Sequence, residues 1–345
     1  IFPAMGSHGA ATAAGQAKVL ADLGVDEARC GAPVRATMET VELGRTGEGV
    51  PVYLDAYAAQ ADAIVVVNRV KPHTAFRGSI ESGPTKMIAI GIGKQRGAHA
   101  VHARGWEHIH RTIPDVAAVA LGTGRIAFAL AVLENAEEAP ARLLAIPAGE
   151  LLAREPELQR EAKQLLARLP FERLDILVVD RIGKNISGDG ADPNVTGRYP
   201  TPYASGGPQI TRMIFCDVTE ESHGNANGLG MADVVTARLA ERFVASATYL
   251  NALTSTTPEA TRLPMVMPDA HRALQAALLM CPGIEPREAR VCRILDTLHL
   301  RSLWISPALV AEVEADPAMR IVERVDRFPM PLPEPLVTLS ADGER

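Results

Sequence analysis

The sequence predicts an α/β protein with two α/β domains, mainly parallel sheets and an active site in the cleft between the domains. Apolar runs typical of strands alternate with helical patterns, and polar, glycine-rich loops follow several of these runs. The run at 63–67 (AIVVV) is β-branched and uncharged, as expected of a central strand that is buried on both faces of a parallel sheet. A helical pattern that stops at Leu169-Pro170 marks the predicted domain boundary.

We place the N-terminal domain at residues 1–170, the C-terminal domain at 171–327 and an extended, proline-rich tail at 328–345. In the N-terminal domain we predict a strand at 1–5, a glycine turn, a helix at 10–23, a β-hairpin at 33–54, a short helix at 55–61, the central strand, a helix at 113–124, paired strands at 125–135 and 141–149, and a charged amphipathic helix at 148–168. In the C-terminal domain we predict strands at 174–179, 213–218 and 289–297 and helices at 231–243, 268–281 and 306–316. The last helix is predicted to be capped by Ser306, with Pro307 at its first position.

Composition excludes several classes of protein. A net charge of −6 with interspersed signs gives no reason to expect a nucleic-acid or anionic-membrane partner. No apolar run approaches the roughly 18 residues that span a bilayer. The four cysteines lack CxxC spacing, which predicts free, buried thiols in a reducing compartment, the cytoplasm; they are Cys30, Cys216, Cys281 and Cys292. Because the chain begins at Ile1 inside an apparent strand, we expect further residues before it. The sequence does not predict the oligomeric state.

Histidines give the clearest chemical signal, since six of the nine lie in the first 110 residues. His73 follows the predicted central strand, at the sheet edge where α/β proteins bind ligands. His8 follows a predicted strand and precedes a helix, where the helix dipole favours a neutral imidazole. We interpret His108 and His110 as ordinary polar residues. The segment 91–97 (GIGKQRG) has the spacing GxGxxxG, which differs by one residue from the dinucleotide fingerprint.

Four motifs in order resemble the lactate racemase family. They are GSHGAAT at 6–12, KPHTAF at 71–76, PTKMIAIG around Lys86, and His102 sixteen residues later. Enzymes of this family use a nickel-pincer nucleotide, a pyridinium cofactor whose metal is held by one carbon and two sulfurs. The resemblance implies a racemase or epimerase of a 2-hydroxy acid, acting by hydride transfer, that depends on cofactor-synthesis proteins.

The resemblance also implies roles for individual residues. Lys86 matches the lysine that is joined to the cofactor, and His102 matches the protein ligand of nickel. His8 and His73 match the two histidines that act as acid and base on opposite sides of the substrate. The resemblance further places Thr74 and Gly78 at the cofactor and, by a looser match, Lys184 or Asn185 at the substrate carboxylate.

The sequence departs from the family pattern in three places. Gly9 stands where the family usually has an arginine, and the insertion SIESGPT precedes Lys86. The family segment that would precede Ile1 is not in this sequence. These differences leave the particular 2-hydroxy acid open.

Two other interpretations remain open at this point. The chain could be a non-catalytic relative that binds or carries the nucleotide. It could also be a metal-dependent hydrolase that binds its metal through His99, His102 and a carboxylate, although no HExxH spacing is present.

Overall fold

Eleven strands in three sheets organise residues 1–330, the part of the chain that the computed structural model describes. The strands are β1 (Thr40–Arg45), β2 (Pro51–Asp55), β3 (Ile64–Arg69), β4 (Ile126–Glu134), β5 (Pro140–Pro147), β6 (Arg173–Val179), β7 (Gln209–Phe215), β8 (Val234–Thr236), β9 (Met265–Met267), β10 (Val291–Ile294) and β11 (Trp304–Ile305). Most strand pairs outside the hairpin are parallel, so the predicted α/β class with mainly parallel sheets is confirmed.

The helices lie between these strands. They are α1 (Ala13–Asp22), α2 (Glu27–Cys30), α3 (Pro84–Lys86), α4 (Lys94–His102), α5 (Ile109–Gly122), α6 (Leu151–Leu165), α7 (Pro193–Thr196), α8 (Ala237–Arg242), α9 (Ala245–Ser255), α10 (Ala270–Leu279) and α11 (Val310–Ala315). A π-helical turn, Met87–Gly91, lies between α3 and α4. None of the helices within residues 1–330 has the length and apolar character that a membrane span requires.

The chain divides into two compact units. The first comprises Ile1–Ala167 with the short segments Thr201–Ser205 and Thr254–Thr256, and the second comprises Arg168–Pro200, Gly206–Leu253 and the described residues from Thr257 onward. The division of the chain into functional domains stays a prediction. The predicted tail falls largely on residues 331–345, which lie outside the described residues.

The first unit contains the β1–β2 hairpin and a three-stranded sheet in the order β3-β4-β5. Strand β3 pairs parallel with β4, and β4 pairs antiparallel with β5. The predicted burial of β3 on both faces is wrong, because the face that carries Val65 and Val67 is exposed, by 44% and 59% at these residues. Strand β3 also lies at the edge of the sheet and is not central. Only Ile64 and Val66 enter the core. A run of β-branched residues specifies a strand, but it does not specify how many of its faces are covered.

The second unit is built on a six-stranded sheet in the order β11-β10-β6-β7-β8-β9, parallel except for β10–β11. Two predictions here are wrong. The segment predicted to start a helix at 231 instead contains β8, and α8 begins at Ala237 after Thr236 caps it by accepting the Leu239 N–H. Ser306 does not cap the last helix, since its hydroxyl donates to the Ala289 carbonyl at 2.6 Å.

Further local expectations also differ from the structure. Residues 1–5 form no regular strand and are held by backbone bonds, from the Arg35 N–H to the Ile1 carbonyl and from the Gly6 N–H to the Gly91 carbonyl. All four cysteines are free, but Cys30 is exposed, whereas the other three are buried as predicted.

Candidate active site

A closed loop joins β3 to α3 and carries His73 near its start. We call residues 71–82 the His73 loop. Lys71 and Ser82 pair across its base as an antiparallel bridge, with the Lys71 N–H donating to the Ser82 carbonyl at 2.8 Å. Beside the base, the Val70 N–H donates to the Val132 carbonyl of β4, also at 2.8 Å. The loop therefore begins and ends at fixed points of the sheet and of α3.

Glu81 organises the interior of the His73 loop. Its carboxylate is fully buried and accepts the His73 N–H at 2.9 Å and the Gly78 N–H at 3.1 Å. Lys163 of α6 lies 2.5 Å from Oε1, the oxygen that also accepts the Gly78 N–H, and Arg77 lies 3.5 Å from Oε2. Buried charges persist only when they are paired and hydrogen-bonded, as this one is. Sequence reasoning missed Glu81, although its position inside the insertion before Lys86 was a signal.

The His73 side chain is held in one tautomer. Its Nδ1 accepts the Ala75 N–H at 3.1 Å, so a neutral His73 carries its proton on Nε2. Burial, followed by the positive charge of Lys86 and further cationic groups around it, lowers the pKa of His73 well below its usual value. The ring packs against Phe76, with centroids 4.5 Å apart. His73 is therefore neutral at physiological pH.

Lys86 ends the short helix α3, where the chain enters the π-helical turn. Turns of this kind are frequent at functional sites. Burial and, to a smaller extent, the charge of Lys71 lower the pKa of the Lys86 amine to about 8. At pH 7.5 roughly a quarter of an amine with such a pKa is uncharged and nucleophilic.

His102 is the last residue of α4 and presents a lone pair on Nε2. Its Nδ1 lies 2.7 Å from the Ala98 carbonyl, which can only accept, so Nδ1 is the protonated nitrogen. Burial lowers the pKa of His102, the bond to Ala98 opposes this effect, and the charge of Lys86 lowers the pKa further. A neutral imidazole that is fixed through Nδ1–H and open at Nε2 is the form that binds transition metals.

Trp106 connects the two histidines. Its ring centroid lies 5.9 Å from that of His73 and 5.6 Å from that of His102. Its indole N–H donates to the Ser255 carbonyl at 3.0 Å, which fixes the ring. The structure thus packs both His73 and His102 against Trp106, and the charge of Lys86 lowers the pKa of both imidazoles. Sequence reasoning missed Trp106, although an aromatic residue four positions after His102 was a signal.

His8 lies in a separate glycine turn, residues 6–12, which we call the His8 turn. The imidazole is exposed, and His8 precedes a 3-10 turn at Gly9–Ala11. Helix α1 starts only at Ala13, with Thr12 as its cap, so His8 does not lie at the N-terminus of that helix as expected. The described contacts of His8 include its carbonyl, which accepts from the Gln16 amide at 3.2 Å.

A buried lysine supports the His8 turn and explains the GIGKQRG motif. Lys94 is fully buried, lies 2.8 Å from the Asp55 carboxylate, and donates to the Pro3 carbonyl and to Gln16. Gln16 in turn donates to the Gly6 carbonyl at 2.8 Å. The apolar residues before this motif are helical, so the motif is not the strand-to-helix loop of a dinucleotide site.

The remaining predicted residues have mixed surroundings. Thr74 is half-buried beside His73, and Gly78 approaches His110 so closely that an added Cβ would lie 3.3 Å from the His110 Cβ. His99 and His108 are exposed. Within residues 1–330, no three His, Cys, Asp or Glu side chains form a group able to hold a metal ion.

Lys184 and Asn185 belong to the second unit, in the loop after β6. Lys184 donates to the Gly188 carbonyl at 2.6 Å and to the Asn251 side chain at 2.8 Å. Burial lowers the pKa of Lys184, and the charge of Asp189 opposes this effect. The Asn185 side-chain oxygen accepts from the Thr219 hydroxyl at 2.7 Å. Their contact with a substrate stays a prediction.

Comparisons with known proteins identify the N-terminal part of the chain. Residues 1–112 match the family model of the lactate racemase N-terminal domain. No curated protein matches the chain. Among solved structures, the chain is similar to the lactate racemase apoprotein from Thermoanaerobacterium thermosaccharolyticum, with 13% identity and a TM-score of 0.46 over 82% of this chain and 74% of that chain. It is also similar to a protein from Thermotoga maritima, with 15% identity and a TM-score of 0.38 over 59% of this chain and 61% of that chain. Residues 1–112 of this chain are therefore similar to the N-terminal domain of the lactate racemase family.

Proposed function

We propose that this protein is a racemase or epimerase of a small 2-hydroxy acid and uses a nickel-pincer nucleotide attached to Lys86. One observation carries the proposal: His73 and His102 both pack against Trp106, and the charge of Lys86 acts on both imidazoles, inside the region that matches the lactate racemase N-terminal domain. We further propose that the protein works in the cytoplasm and receives its cofactor from cofactor-synthesis proteins.

The side chains fit the proposed cofactor in their donor chemistry. A covalent link needs an amine that is partly uncharged near neutral pH, and the lowered pKa of Lys86 supplies one. Nickel accepts imidazole together with sulfur donors, and His102 offers the unprotonated Nε2 of a fixed ring. Lys86 would therefore hold the group, and His102 would complete its metal coordination.

The reaction itself explains why such a group is required. The carbinol hydrogen beside a carboxylate is far too weakly acidic for a histidine, whose ordinary pKa is about 6.5, to remove as a proton. The bound cofactor would supply a hydride acceptor, so that the histidines need only handle the hydroxyl proton. Inversion at the carbinol carbon then needs one proton-transfer group on each side of the substrate.

His73 and His8 fill these roles in the proposal, but they are not equivalent. His73 is neutral and carries its proton on Nε2. To accept the substrate hydroxyl proton on Nε2, it must first move its own proton to Nδ1, which requires the bond from the Ala75 N–H to break. His8, by contrast, is exposed. Proton transfer through His73 therefore requires a local rearrangement of the His73 loop.

The proposal is tested by co-expression with the cofactor-making enzymes, followed by intact-mass analysis of wild type and of Lys86→Arg. We expect a covalent adduct in wild type and none in Lys86→Arg. Lys18→Arg is the matched control, because Lys18 is exposed and should leave the adduct unchanged. The loaded protein is then assayed against a panel of chiral 2-hydroxy acids, in which we expect inversion of at least one.

Other results would contradict the proposal in distinct ways. Absence of an adduct in wild type would remove the assignment of Lys86. An adduct without inversion of any acid in the panel would favour the non-catalytic carrier.

A further inference from the structure

Helix α6 has an unusual buried face. Its charge predicts a helix with a solvated polar side, yet Glu155 is completely buried and Gln159 is 1% exposed. Lys163 follows four residues later, so the three side chains lie at i, i+4 and i+8 on one face of the helix. We call Glu155, Gln159 and Lys163 the polar stripe. Leu151, Leu158 and Ala162 flank it as ordinary core residues.

Every member of the polar stripe contacts the segment that leads to Lys86. Glu155 accepts from both the backbone N–H of Thr85, at 2.9 Å, and its hydroxyl, at 2.5 Å. The Gln159 side-chain oxygen accepts the backbone N–H groups of Glu81, at 3.2 Å, and Ser82, at 3.4 Å. Lys163 lies 2.5 Å from the Glu81 carboxylate.

These contacts lie close to the two site residues of that segment, His73 and Lys86. Thr85 immediately precedes Lys86, so Glu155 fixes the turn of α3 that presents the lysine. Glu81 binds the backbone N–H of His73, so Lys163 and Gln159 position His73 through their contacts with Glu81. One helix face therefore sets the positions of both His73 and Lys86.

Stability alone does not account for these side chains. Burying polar groups costs free energy unless every group is bonded, and the stripe is only partly satisfied. Among the described residues, one oxygen of Glu155 and the amide nitrogen of Gln159 are buried without a hydrogen-bond partner. The glycine at 83 makes room for that oxygen, since a Cβ there would lie 2.1 Å from it. Apolar residues would fill this space at lower cost, as partly satisfied polar networks are less stable than an apolar core.

We propose that the polar stripe of α6 is a positioning element that fixes the Lys86 amine relative to His73 before the cofactor attaches. The stripe acts through Thr85 and Glu81 and does not itself touch the reacting atoms. The inference rests on the proposed function only in taking Lys86 as the attachment site.

The test uses the cofactor-free, full-length protein, so that it is independent of activity. Lys86 and the exposed Lys18 are acylated with a succinimidyl ester over a range of pH, and both sites are quantified by peptide mass spectrometry. Glu155→Leu and Glu155→Gln form a matched pair. Both remove any charge at this position, but only glutamine keeps an oxygen that accepts from Thr85.

In Glu155→Leu we expect the α3 turn to loosen and Lys86 to become more exposed. Its labelling midpoint should move upward by at least about one pH unit, toward that of an ordinary lysine. Glu155→Gln should stay near wild type, and Lys18 should be unchanged throughout. Lys163→Met provides a second variant at the other end of the stripe, and the same upward shift is expected.

Two outcomes would overturn the inference. One is a Lys86 midpoint that is the same in Glu155→Leu and Glu155→Gln. If Glu155→Leu does not fold, the decisive result is a Lys163→Met variant that labels as wild type. Adduct formation in the co-expressed wild type separates this inference from the proposed function. A shifted midpoint without any adduct would support the positioning element and reject the cofactor assignment.

Discussion

The His8 turn and the His73 loop carry the two proposed proton-transfer residues, yet they are stabilised in different ways. Gln16 donates to the backbone carbonyls of Gly6 and His8 in the His8 turn, and the buried Lys94 in turn donates to the side chain of Gln16. In the His73 loop, the carboxylate of Glu81 accepts the His73 N–H. The polar stripe of α6 binds Glu81 in turn, because Gln159 accepts its backbone N–H and Lys163 pairs with its carboxylate. In the His8 turn, a side-chain donor binds backbone carbonyls, whereas in the His73 loop Gln159 and Glu81 accept backbone N–H groups and Lys163 donates to the carboxylate of Glu81.

The two segments also differ in exposure and in strain. His73 is enclosed by Phe76 and Trp106, whereas His8 is exposed. The His8 turn contains Ala10 and Ala11 at φ values of 56° and 53°, a region that non-glycine residues rarely adopt. The comparison teaches that enclosure of the His73 loop is maintained by buried charges, while the His8 turn stays open and strained. Substitutions should therefore have opposite consequences in the two segments.

The largest effect is expected from Glu81→Leu, which breaks the His73 loop. It leaves the His73 and Gly78 N–H groups and the Lys163 ammonium without their buried partner. Removing one partner of a buried pair costs about 3–5 kcal/mol, and we expect a loss of this size in the free energy of unfolding in urea. Glu157→Leu is the control, because Glu157 is 75% exposed and should change stability by less than about 0.5 kcal/mol. Equal losses in the two variants would contradict the proposed support of the loop.

A smaller, pH-dependent effect is expected from the carboxyl group of Glu155. Burial raises its pKa from 4.5 to about 7 in the folded protein, although the two bonds from Thr85 oppose the shift. Between these values the folded state binds more protons than the unfolded state, so the stabilising contribution is present below pH 4.5 and is lost as the pH rises through 7. The change is up to about 3 kcal/mol.

Urea unfolding of wild type and Glu155→Gln at pH 5 and pH 8 measures this contribution. Wild type should lose more stability than the variant on going to pH 8, because glutamine does not ionise. If both proteins respond to pH to the same extent, the carboxyl group is not protonated in the folded state at pH 5.

The smallest effect, and one of opposite sign, is expected from Ala11→Gly in the His8 turn. Glycine relieves the left-handed conformation at this position but adds entropy to the unfolded chain. We expect a net gain of about 0.5 kcal/mol, seen as a slightly higher midpoint of thermal unfolding. Ala14→Gly, inside α1, is the control and should destabilise by about 0.5–1 kcal/mol. Destabilisation by both substitutions would mean that the turn is not strained.

Much of the fold could be predicted from local patterns. The hairpin, β4 with β5, α5, α6 and α10 follow from hydrophobic periodicity and turn residues, and the structure has them close to the predicted positions. Errors arose where the environment decides the outcome. Val65 and Val67 look like core residues but lie at a sheet edge, and Ser306 has the chemistry of a cap but bonds to Ala289.

The candidate site was predictable to the extent that its residues carry chemistry. His73, Lys86 and His102 stand out as titratable residues in recognisable motifs, and the structure groups them. Sequence reasoning did not identify Trp106 and Glu81, because an aromatic ring or a carboxylate has no distinctive role until its neighbours are known. Glu155 was detectable in part, since it stands where the helical pattern of Leu151, Leu158 and Ala162 requires an apolar residue.

The sequence by itself determined the α/β class, the order of the main elements and the presence of titratable side chains in the motifs that resemble the lactate racemase family. These follow from periodicity and side-chain chemistry, which are local properties. Only the tertiary structure decided that β3 is an edge strand, that Lys94 is a buried support and that one face of α6 holds the His73 loop. Burial, pKa and hydrogen-bond partners depend on which distant residues become neighbours, and that information appears only when the chain is folded.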